Sequence, residues 1–491
     1  MRRGAVALIL LLAAIVAARA WVAWSNGTYL SYAEGTWSAL AQDAARGEWY
    51  RPISAPTGYG GTRYWPLVFG VHAQLLRVWP DVLATGFLMS VIGFAAALAA
   101  CFAAARALGL SRDHAGLAVA LFAASQSVQY GLLAIRGDLL PLALLLAAVA
   151  SARRAPLASA ALLALAIAGK PTMAYGALII AASLALARDS RALAAFAAAL
   201  VVSLAAALAA MQWLSDGRAL PLLLSGTAAG GGWRDLVNAP IALARGLRLV
   251  PETALAVAAG VAFAVAAVAR GSSSPSSSPS SSPSSSPSSS DDGRRLAAIW
   301  FASALATTLV VFATPGAWLN HFGDLQAASA ILIAFAVADA ARSLRVAGAA
   351  AASLALAAGV VVGAARAAGA DRSDRLASYH AVLAWLDRHP GEILADQPMI
   401  PVLAGRRPFI IDSFIFRVNV AADPTRLQPL LQALAARRFV AVVVDADAAA
   451  ATPDGLMLES EFGPAYIRAL LDNYRVDSTI WGRSVFVPNV R

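Results

Sequence analysis

The chain has 491 residues, 59% of them hydrophobic and only 13% charged, with a formal net charge of +10. Its mean hydropathy of +0.66 excludes an ordinary soluble domain. The single cysteine, Cys101, excludes a disulfide framework and a metal cluster of the cysteine type.

Apolar runs long enough to cross a hydrocarbon core of ~30 Å recur down to residue 365. Arginines lie in the short loops between these runs, a pattern that indicates membrane orientation rather than nucleic-acid binding. The sequence therefore predicts an all-α, multi-pass bundle in the cell inner (plasma) membrane. The lipid bilayer is a predicted partner and nucleic acid is not.

The first apolar run follows two basic residues, Arg2 and Arg3. It resembles a signal peptide, but it continues to Trp24 without a clean small-residue cleavage site. We interpret it as a retained first span, residues 5–24, with the N-terminus in the cytoplasm.

About eleven spans are predicted along the chain. Three short segments and an ambiguous stretch at residues 236–250 leave this count open by two. Basic loops place the first loop, residues 25–80, and the C-terminus outside the cytoplasm. The predicted spans are 5–24, 82–105, 115–133, 139–152, 156–169, 172–187, 192–213, 251–269, 296–313, 324–341 and 345–364.

Composition divides the chain into two domains, 1–365 and 366–491. A Ser/Pro repeat within residues 271–295 has no apolar residue to bury, which predicts a disordered cytoplasmic insert. The tail mixes helical stretches with strand-like runs, which predicts a small extracytoplasmic α/β domain. The strand-like runs are ILAD, PFIID, FVAVVVDA and SVFVP, and the third is typical of a strand buried on both faces.

Polar or ionisable groups at membrane depth are costly and are functional candidates. In this topology they collect on the external side. They suit a phosphate-bearing lipid and an acceptor that must be deprotonated. The set is Glu34, Asp43, Arg51, Arg63, Arg136, Asp138, Lys170, Asn320, His321 and Asp324.

Short motifs built on these residues follow one another in a fixed order. They are Tyr32-Ala33-Glu34-Gly35, Tyr64-Trp65-Pro66-Leu67, Arg136-Gly137-Asp138, Gly169-Lys170-Pro171 and Asn320-His321-Phe322. In this order they resemble the type-C (GT-C) membrane glycosyltransferases, relatives of the protein O-mannosyltransferases and the aminoarabinose transferases. The resemblance covers nearly the whole chain except the Ser/Pro insert.

The resemblance implies an inverting transfer of a sugar from a polyprenyl phosphate to an acceptor hydroxyl on a glycan, a lipid or a protein. Glu34 matches the acidic residue that deprotonates the acceptor. The implied donor-phosphate contacts are Arg63, Arg136, Lys170 and His321, and the implied substrate contacts are Tyr32, Tyr64, Asp138 and Asn320. The lipid-linked sugar phosphate is the donor substrate, and neither a cofactor nor a metal is predicted.

Other interpretations stay open. Many relatives carry an Asp-Glu pair where this chain has Ala33 before Glu34, so a catalytically inactive relative is one alternative. A transporter or flippase of lipid-linked sugars in envelope glycan assembly is another. Glu34 also fits a helix cap, Arg136 with Asp138 a local ion pair, and Lys170 a snorkelling side chain.

Asp43 and Glu48, the other acidic residues of the first loop, are expected to be exposed on an interfacial helix. His321 also fits a histidine that only satisfies a local hydrogen bond.

Overall fold

The computed structural model describes residues 2–227, 233–272, 289–314, 317–339, 341–445 and 462–489. Most of the predicted Ser/Pro insert therefore lies outside the described residues. The helices are α1 (Arg2–Asn26), α2 (Tyr32–Ala45), α3 (Pro66–Val78), α4 (Val82–Ala107), α5 (Arg112–Ala124), α6 (Gln126–Leu133), α7 (Leu139–Ser151), α8 (Pro156–Gly169), α9 (Gly176–Leu186), α10 (Ser190–Leu214), α11 (Ala219–Thr227), α12 (Trp233–Arg248), α13 (Pro251–Ser272), α14 (Ser289–Phe312), α15 (Gly323–Val337), α16 (Arg342–Ala368), α17 (Arg375–Leu386), α18 (Met399–Leu403), α19 (Ser413–Ala422), α20 (Gln428–Ala435) and α21 (Pro464–Asn473).

Short 3₁₀ helices and four strands complete the secondary structure of the described residues. The 3₁₀ helices are Pro171–Tyr175, Leu319–Phe322, Ala370–Arg372 and Pro424–Leu427. The strands are β1 (Ile393–Ala395), β2 (Ala441–Val444), β3 (Tyr474–Ile480) and β4 (Arg483–Pro488).

Each predicted span coincides with a helix or a helix pair. Among the described residues, six helices are long and apolar enough to cross a membrane, and a seventh span results if α5 and α6 are counted together. The other four predicted spans fall on shorter apolar helices, α7, α8, α9 with its preceding 3₁₀ turn, and α15. The chain is thus a multi-pass membrane protein with a helical bundle, while the count of eleven and the sidedness stay predictions.

Helix α15 forms the centre of the bundle. Its residues from Gly323 to Ala336 are all buried, and helices α5, α13, α14 and α16 pack around it. Its first turn follows the 3₁₀ helix Leu319–Phe322 without a break. The most buried helix therefore fixes the position of the Asn320-His321 motif.

The third predicted span is broken. Helices α5 and α6 meet at Ser125 with a bend of 65°. The break leaves backbone groups without helical partners, and Glu252 of α13 accepts a hydrogen bond from the Gln126 amide at 2.9 Å. Ser125 Oγ lies 2.9 Å from Thr253 Oγ1. Polar partners on a distant helix thus stabilise a kink that an apolar run alone does not predict.

The tail folds into a four-stranded mixed sheet with helices, as expected of a small α/β domain. The strand order is β1-β2-β4-β3; β1 and β2 are parallel, and the other pairs are antiparallel. Strand β2, within the FVAVVVDA run, is buried at every position, as its continuous β-branched sequence predicts. The division of the chain at residue 365 stays a prediction.

One strand prediction is wrong, and one strand of the sheet is not predicted from the sequence. The PFIID run is not part of the sheet, because its backbone pairs with the first loop: Tyr59 N donates to Phe409 O at 2.7 Å, and Ile411 N donates to Tyr59 O at 3.1 Å. Strand β3 was not predicted from the sequence. Its polar, mostly exposed positions give it the pattern of an edge strand.

Candidate active site

Glu34 lies in the first turn of α2 with no exposed surface. Ser31 precedes the helix, and the two form a capping box in which the Ser31 amide donates to Glu34 Oε2 at 2.9 Å. The Ser31 hydroxyl also bonds this oxygen. The helix-cap interpretation is therefore right for one oxygen of the carboxylate, and it leaves Oε1 for another partner.

That partner is Arg136, which follows α6. Its Nε lies 2.5 Å from Glu34 Oε1, and its guanidinium carbon stands 5.0 Å from the centroid of the Tyr130 ring. Burial opposes the charge of Arg136, but Glu34 beside it raises the pKa of the guanidinium above its ordinary value. The pair joins two motifs that are 102 residues apart.

Gly137 explains how Arg136 reaches this position. A Cβ built on Gly137 would stand 1.6 Å from Val68 Cγ1 on α3. Only glycine fits there. The Arg-Gly-Asp segment therefore packs directly on α3 and presents its two charged residues to either side.

Asp138, Lys170 and Asn320 form a second cluster. Lys170 Nζ lies 3.0 Å from Asp138 Oδ1, and Asn320 Nδ2 donates to Asp138 Oδ2 at 3.0 Å. Burial favours a raised pKa for Asp138, but the positive charges of Lys170 and Arg136 outweigh it and lower the pKa below its ordinary value. These residues line a small cavity of about 10 Å³ between α6, α7 and the start of α15.

His321 lies beside this second cluster. Burial and the nearby Lys170 ammonium lower the pKa of its imidazole from 6.5 to about 3. The ring is therefore neutral at physiological pH. It offers one N–H donor and one acceptor instead of a positive charge.

The remaining predicted residues lie where the first loop meets the tail. The Arg63 guanidinium carbon stands 4.6 Å from the centroid of the Phe414 ring, and Arg63 also lies within electrostatic range of Tyr64 and His321. Tyr32 and Asp412 interact electrostatically with Tyr64, whose pKa burial raises above its ordinary value. The tail thus contributes to the rim of the site.

Asp43 and Glu48 differ from their predicted exposed positions. Asp43 is buried, at 2% exposure, because Arg51 binds both of its oxygens at 2.6 and 2.9 Å and Arg407 of the tail adds a third contact at 3.3 Å. Glu48 is half-buried and pairs with Arg407. These carboxylates connect the first loop to the tail.

The structure brings all nine predicted site residues into one region and adds two that were not predicted. Ser31 orients Glu34, and Tyr130 lies against Arg136. The Ser-x-x-Glu spacing from Ser31 to Glu34 is a capping-box signal that the sequence does contain. Tyr130 gives no such signal, because its role depends on the bend after α5.

The arrangement joins a carboxylate to cations at the end of an apolar bundle. Carboxylate oxygens each carry two lone pairs, so Glu34 Oε1 can accept a second proton donor beside Arg136. Arg136 and Lys170 suit a phosphate group. Within the described residues, no group of three or more His, Cys, Asp or Glu side chains is arranged to hold a metal ion.

Solved structures resemble this chain over almost its whole length. Crystal structures of ArnT from Cupriavidus metallidurans, bound to undecaprenyl phosphate and in the apo state, match with TM-scores of 0.57 and 0.58 at 12% and 13% identity. The matches cover 96% and 98% of this chain, and 97% and 98% of ArnT. The apo oligosaccharyltransferase of Archaeoglobus fulgidus matches with a TM-score of 0.53 at 12% identity, over 94% of this chain and 72% of that one.

The two comparisons of sequence find no match for this chain. No protein-family model matches it, and no curated protein matches it significantly. At such low identity, the structural likeness establishes the fold and not the activity. The chain therefore has the GT-C fold, a multi-pass helical membrane bundle followed by a small α/β domain.

Proposed function

We propose that this chain is a membrane glycosyltransferase that moves a sugar from a polyprenyl-phosphate donor to an acceptor hydroxyl, with inversion at the anomeric carbon. The convergence of Glu34 and Arg136 with Asp138, Lys170 and Asn320 carries the proposal. The GT-C fold supports it, as does the undecaprenyl phosphate bound to ArnT.

Glu34 is the proposed base. The acceptor hydroxyl gives its proton to Oε1 of Glu34, and the acceptor oxygen forms a bond to the anomeric carbon. The bond from that carbon to the phosphate oxygen breaks, and the polyprenyl phosphate leaves with the electron pair. Ser31 and Arg136 hold the carboxylate in one orientation, which favours attack along a single direction.

The donor phosphate is proposed to bind between the two clusters. Arg136 and Lys170 provide positive charge for the leaving phosphate, and Arg63 extends this charge toward the tail. His321 contributes a neutral N–H. The small cavity beside Lys170 marks the side of the bundle from which the phosphate is proposed to approach.

Asp138 and Asn320 are proposed to position Lys170, because both contact it and each other. Tyr32 and Tyr64 are proposed to contact the substrate from the first loop. The acceptor, a glycan, a lipid or a protein, would approach from the side of the tail. We propose that catalysis takes place on the extracytoplasmic face of the inner membrane, as the predicted topology implies.

The test measures transfer of radiolabelled hexose from undecaprenyl phosphate mannose and undecaprenyl phosphate glucose by the full-length protein in membranes. Glu34→Gln keeps the side-chain shape but cannot take the proton, so transfer should fall by about 10²- to 10⁴-fold. Glu48→Gln is the matched control, because Glu48 lies in the same loop but pairs with Arg407 outside the site.

Undiminished transfer by Glu34→Gln would contradict the assignment of the base. If the wild-type protein binds these donors but releases no polyprenyl phosphate, the proposal that the chain is a glycosyltransferase is wrong. That second result would favour an inactive relative, consistent with Ala33, or a carrier of lipid-linked sugars.

A further inference from the structure

A second and larger cavity lies at the other end of the bundle. It has a volume of about 260 Å³ and is formed where α4 and α7 end, beside α9 and the start of α14. Arg106, Arg153 and Arg154 line it together with Ser183. We call it the basic cavity.

The basic cavity is separate from the candidate active site. Asp138 directly precedes α7, whereas Arg153 and Arg154 follow its C-terminal end. The thirteen residues of α7 rise 1.5 Å each, so about 20 Å of helix separates the two places. In the predicted topology this end faces the cytoplasm.

The charge of the basic cavity is not neutralised by the protein. Among the described residues, none of its three arginines forms a salt bridge, in contrast to Arg19 and Arg136, which each contact a carboxylate. Arg153 Nε donates to Ser183 Oγ at 3.1 Å, and Arg106 donates to the Leu110 carbonyl. Both contacts orient a guanidinium without cancelling its charge.

The inner wall of the basic cavity is apolar. Val149, Ile179, Ile180 and Leu296 line it and are otherwise buried in the bundle. A cavity with cationic side chains at its rim and an apolar wall fits an amphiphile with an anionic head. Basic cavities between membrane helices on the cytoplasmic side are known to bind lipid phosphates.

The general excess of arginine on cytoplasmic loops does not explain this cavity. That excess requires only that basic side chains lie near the membrane surface. Arg112, Arg188 and Arg191 satisfy it on the same end of the bundle without lining the basic cavity. Three guanidiniums around one cavity, none of them in a salt bridge among the described residues, are a further feature.

We infer that the basic cavity binds the phosphate head group of an anionic phospholipid in the leaflet opposite the candidate active site. The three arginines contact the phosphate, and the first part of an acyl chain lies against the apolar wall. This binding is independent of sugar transfer.

The test follows thermal unfolding of the full-length protein in a non-ionic detergent. Dioleoyl phosphatidylglycerol should raise the unfolding midpoint by several degrees, because a ligand that binds only the folded state stabilises it. Zwitterionic dioleoyl phosphatidylcholine and inorganic phosphate at the same concentration should not. An equal shift with phosphatidylcholine, or with inorganic phosphate, would overturn the assignment of an anionic lipid.

The decisive variant replaces Arg106, Arg153 and Arg154 with Gln together. It should weaken phosphatidylglycerol binding at least tenfold, whereas replacing the same three residues with Lys keeps the charge and should preserve most of the shift. The Lys variant also gives a readout if the Gln variant does not fold. Loss of the shift in the Lys variant would contradict recognition by charge.

The matched control replaces Arg112, Arg188 and Arg191 with Gln. It removes the same number of charges from the same end of the bundle but outside the basic cavity, so the phosphatidylglycerol shift should remain. If the two Gln variants lose the shift equally, attraction to the general surface charge explains the binding and the proposed site is refuted.

Discussion

Helix α2 carries two buried carboxylates that are used differently. Arg51 binds both oxygens of Asp43, and Arg407 adds a further contact. Glu34 receives one side-chain contact from Arg136 and uses its other oxygen to cap its own helix. Burial beside an arginine is therefore not enough to identify a catalytic acid; the groups that surround each carboxylate distinguish the two.

The surroundings of the two carboxylates strengthen this contrast. Arg51 also donates to the Pro408 carbonyl at 2.6 Å, so the Asp43 cluster holds the first loop against the tail. The Glu34 cluster is instead close to Lys170 and to the cavity that Lys170 lines. The Asp43 cluster is expected to determine the stability of the fold, and the Glu34 cluster is expected to determine the rate of sugar transfer.

The largest expected effect on stability comes from Asp43→Asn. It leaves Arg51 buried without a full negative partner, and breaking such a pair costs about 3–5 kcal/mol. Thermal unfolding in detergent measures the loss. Asp216→Asn breaks an exposed Asp–Arg pair and should change stability little. Equal stability of the two variants would contradict a structural role for Asp43.

A smaller effect is expected from Lys170→Gln. The variant removes a cation from the proposed phosphate site and leaves Asp138 with one fewer partner. Hydrogen bonds to charged groups are worth about 1.5–3 kcal/mol, so kcat/KM for the polyprenyl-phosphate donor should fall about 10- to 100-fold. Lys170→Arg keeps the charge and should recover part of the lost kcat/KM. Unchanged donor kinetics in Lys170→Gln would exclude Lys170 from donor binding.

The His321 environment predicts a dependence of stability on pH. Its pKa is about 3 when folded and 6.5 ordinarily, so below pH 6.5 the unfolded chain binds a proton that the folded protein does not. Stability should therefore fall as the pH drops from 6.5 toward 3, by up to about 1.4 kcal/mol per pH unit. His321→Gln should lose less stability over this window, as measured by unfolding at pH 6.5 and 4.5.

The exposed His380 offers the control for this pH experiment. His380→Gln should retain the wild-type dependence on pH. If His321→Gln also retains it, then His321 does not occupy the buried, cationic environment described above.

The smallest expected effect comes from Ser31→Ala. Loss of the cap should cost about 1 kcal/mol of stability and free one oxygen of Glu34 from its fixed orientation. Transfer per folded molecule should then fall by a few-fold. Ser31→Thr retains the hydroxyl and should be close to wild type. A Ser31→Ala protein with unchanged stability would show that the capping box contributes nothing measurable.

Much of the fold could be predicted from the sequence because apolar runs determine membrane helices almost locally. The second span, predicted at 82–105, is α4 at Val82–Ala107. The bend at Ser125 could not be predicted in this way, because its partners, Glu252 and Thr253, lie on a distant helix. The PFIID run also failed as a sheet strand for a long-range reason, its pairing with the first loop.

The charged residues that the structure brings together could be selected from the sequence because charges are rare in this chain and stand out at span ends. Their partners could not, because pairing depends on packing across the fold. Arg19 illustrates this: it lies within the first predicted span, is 1% exposed, and binds Asp371 at the start of the tail at 2.7 Å. The burial of Asp43 could not be predicted either, because its arginine partners, Arg51 and Arg407, come from two separate segments.

The most direct test of the contrast compares Glu34→Gln with Asp43→Asn as rates of sugar transfer per folded molecule at saturating donor. We predict that Glu34→Gln remains folded and transfers at least about 100-fold more slowly than wild type. Asp43→Asn should yield less folded protein, but each folded molecule should transfer at nearly the wild-type rate. Equal rates per folded molecule in the two variants would contradict the assignment of Glu34 as the base.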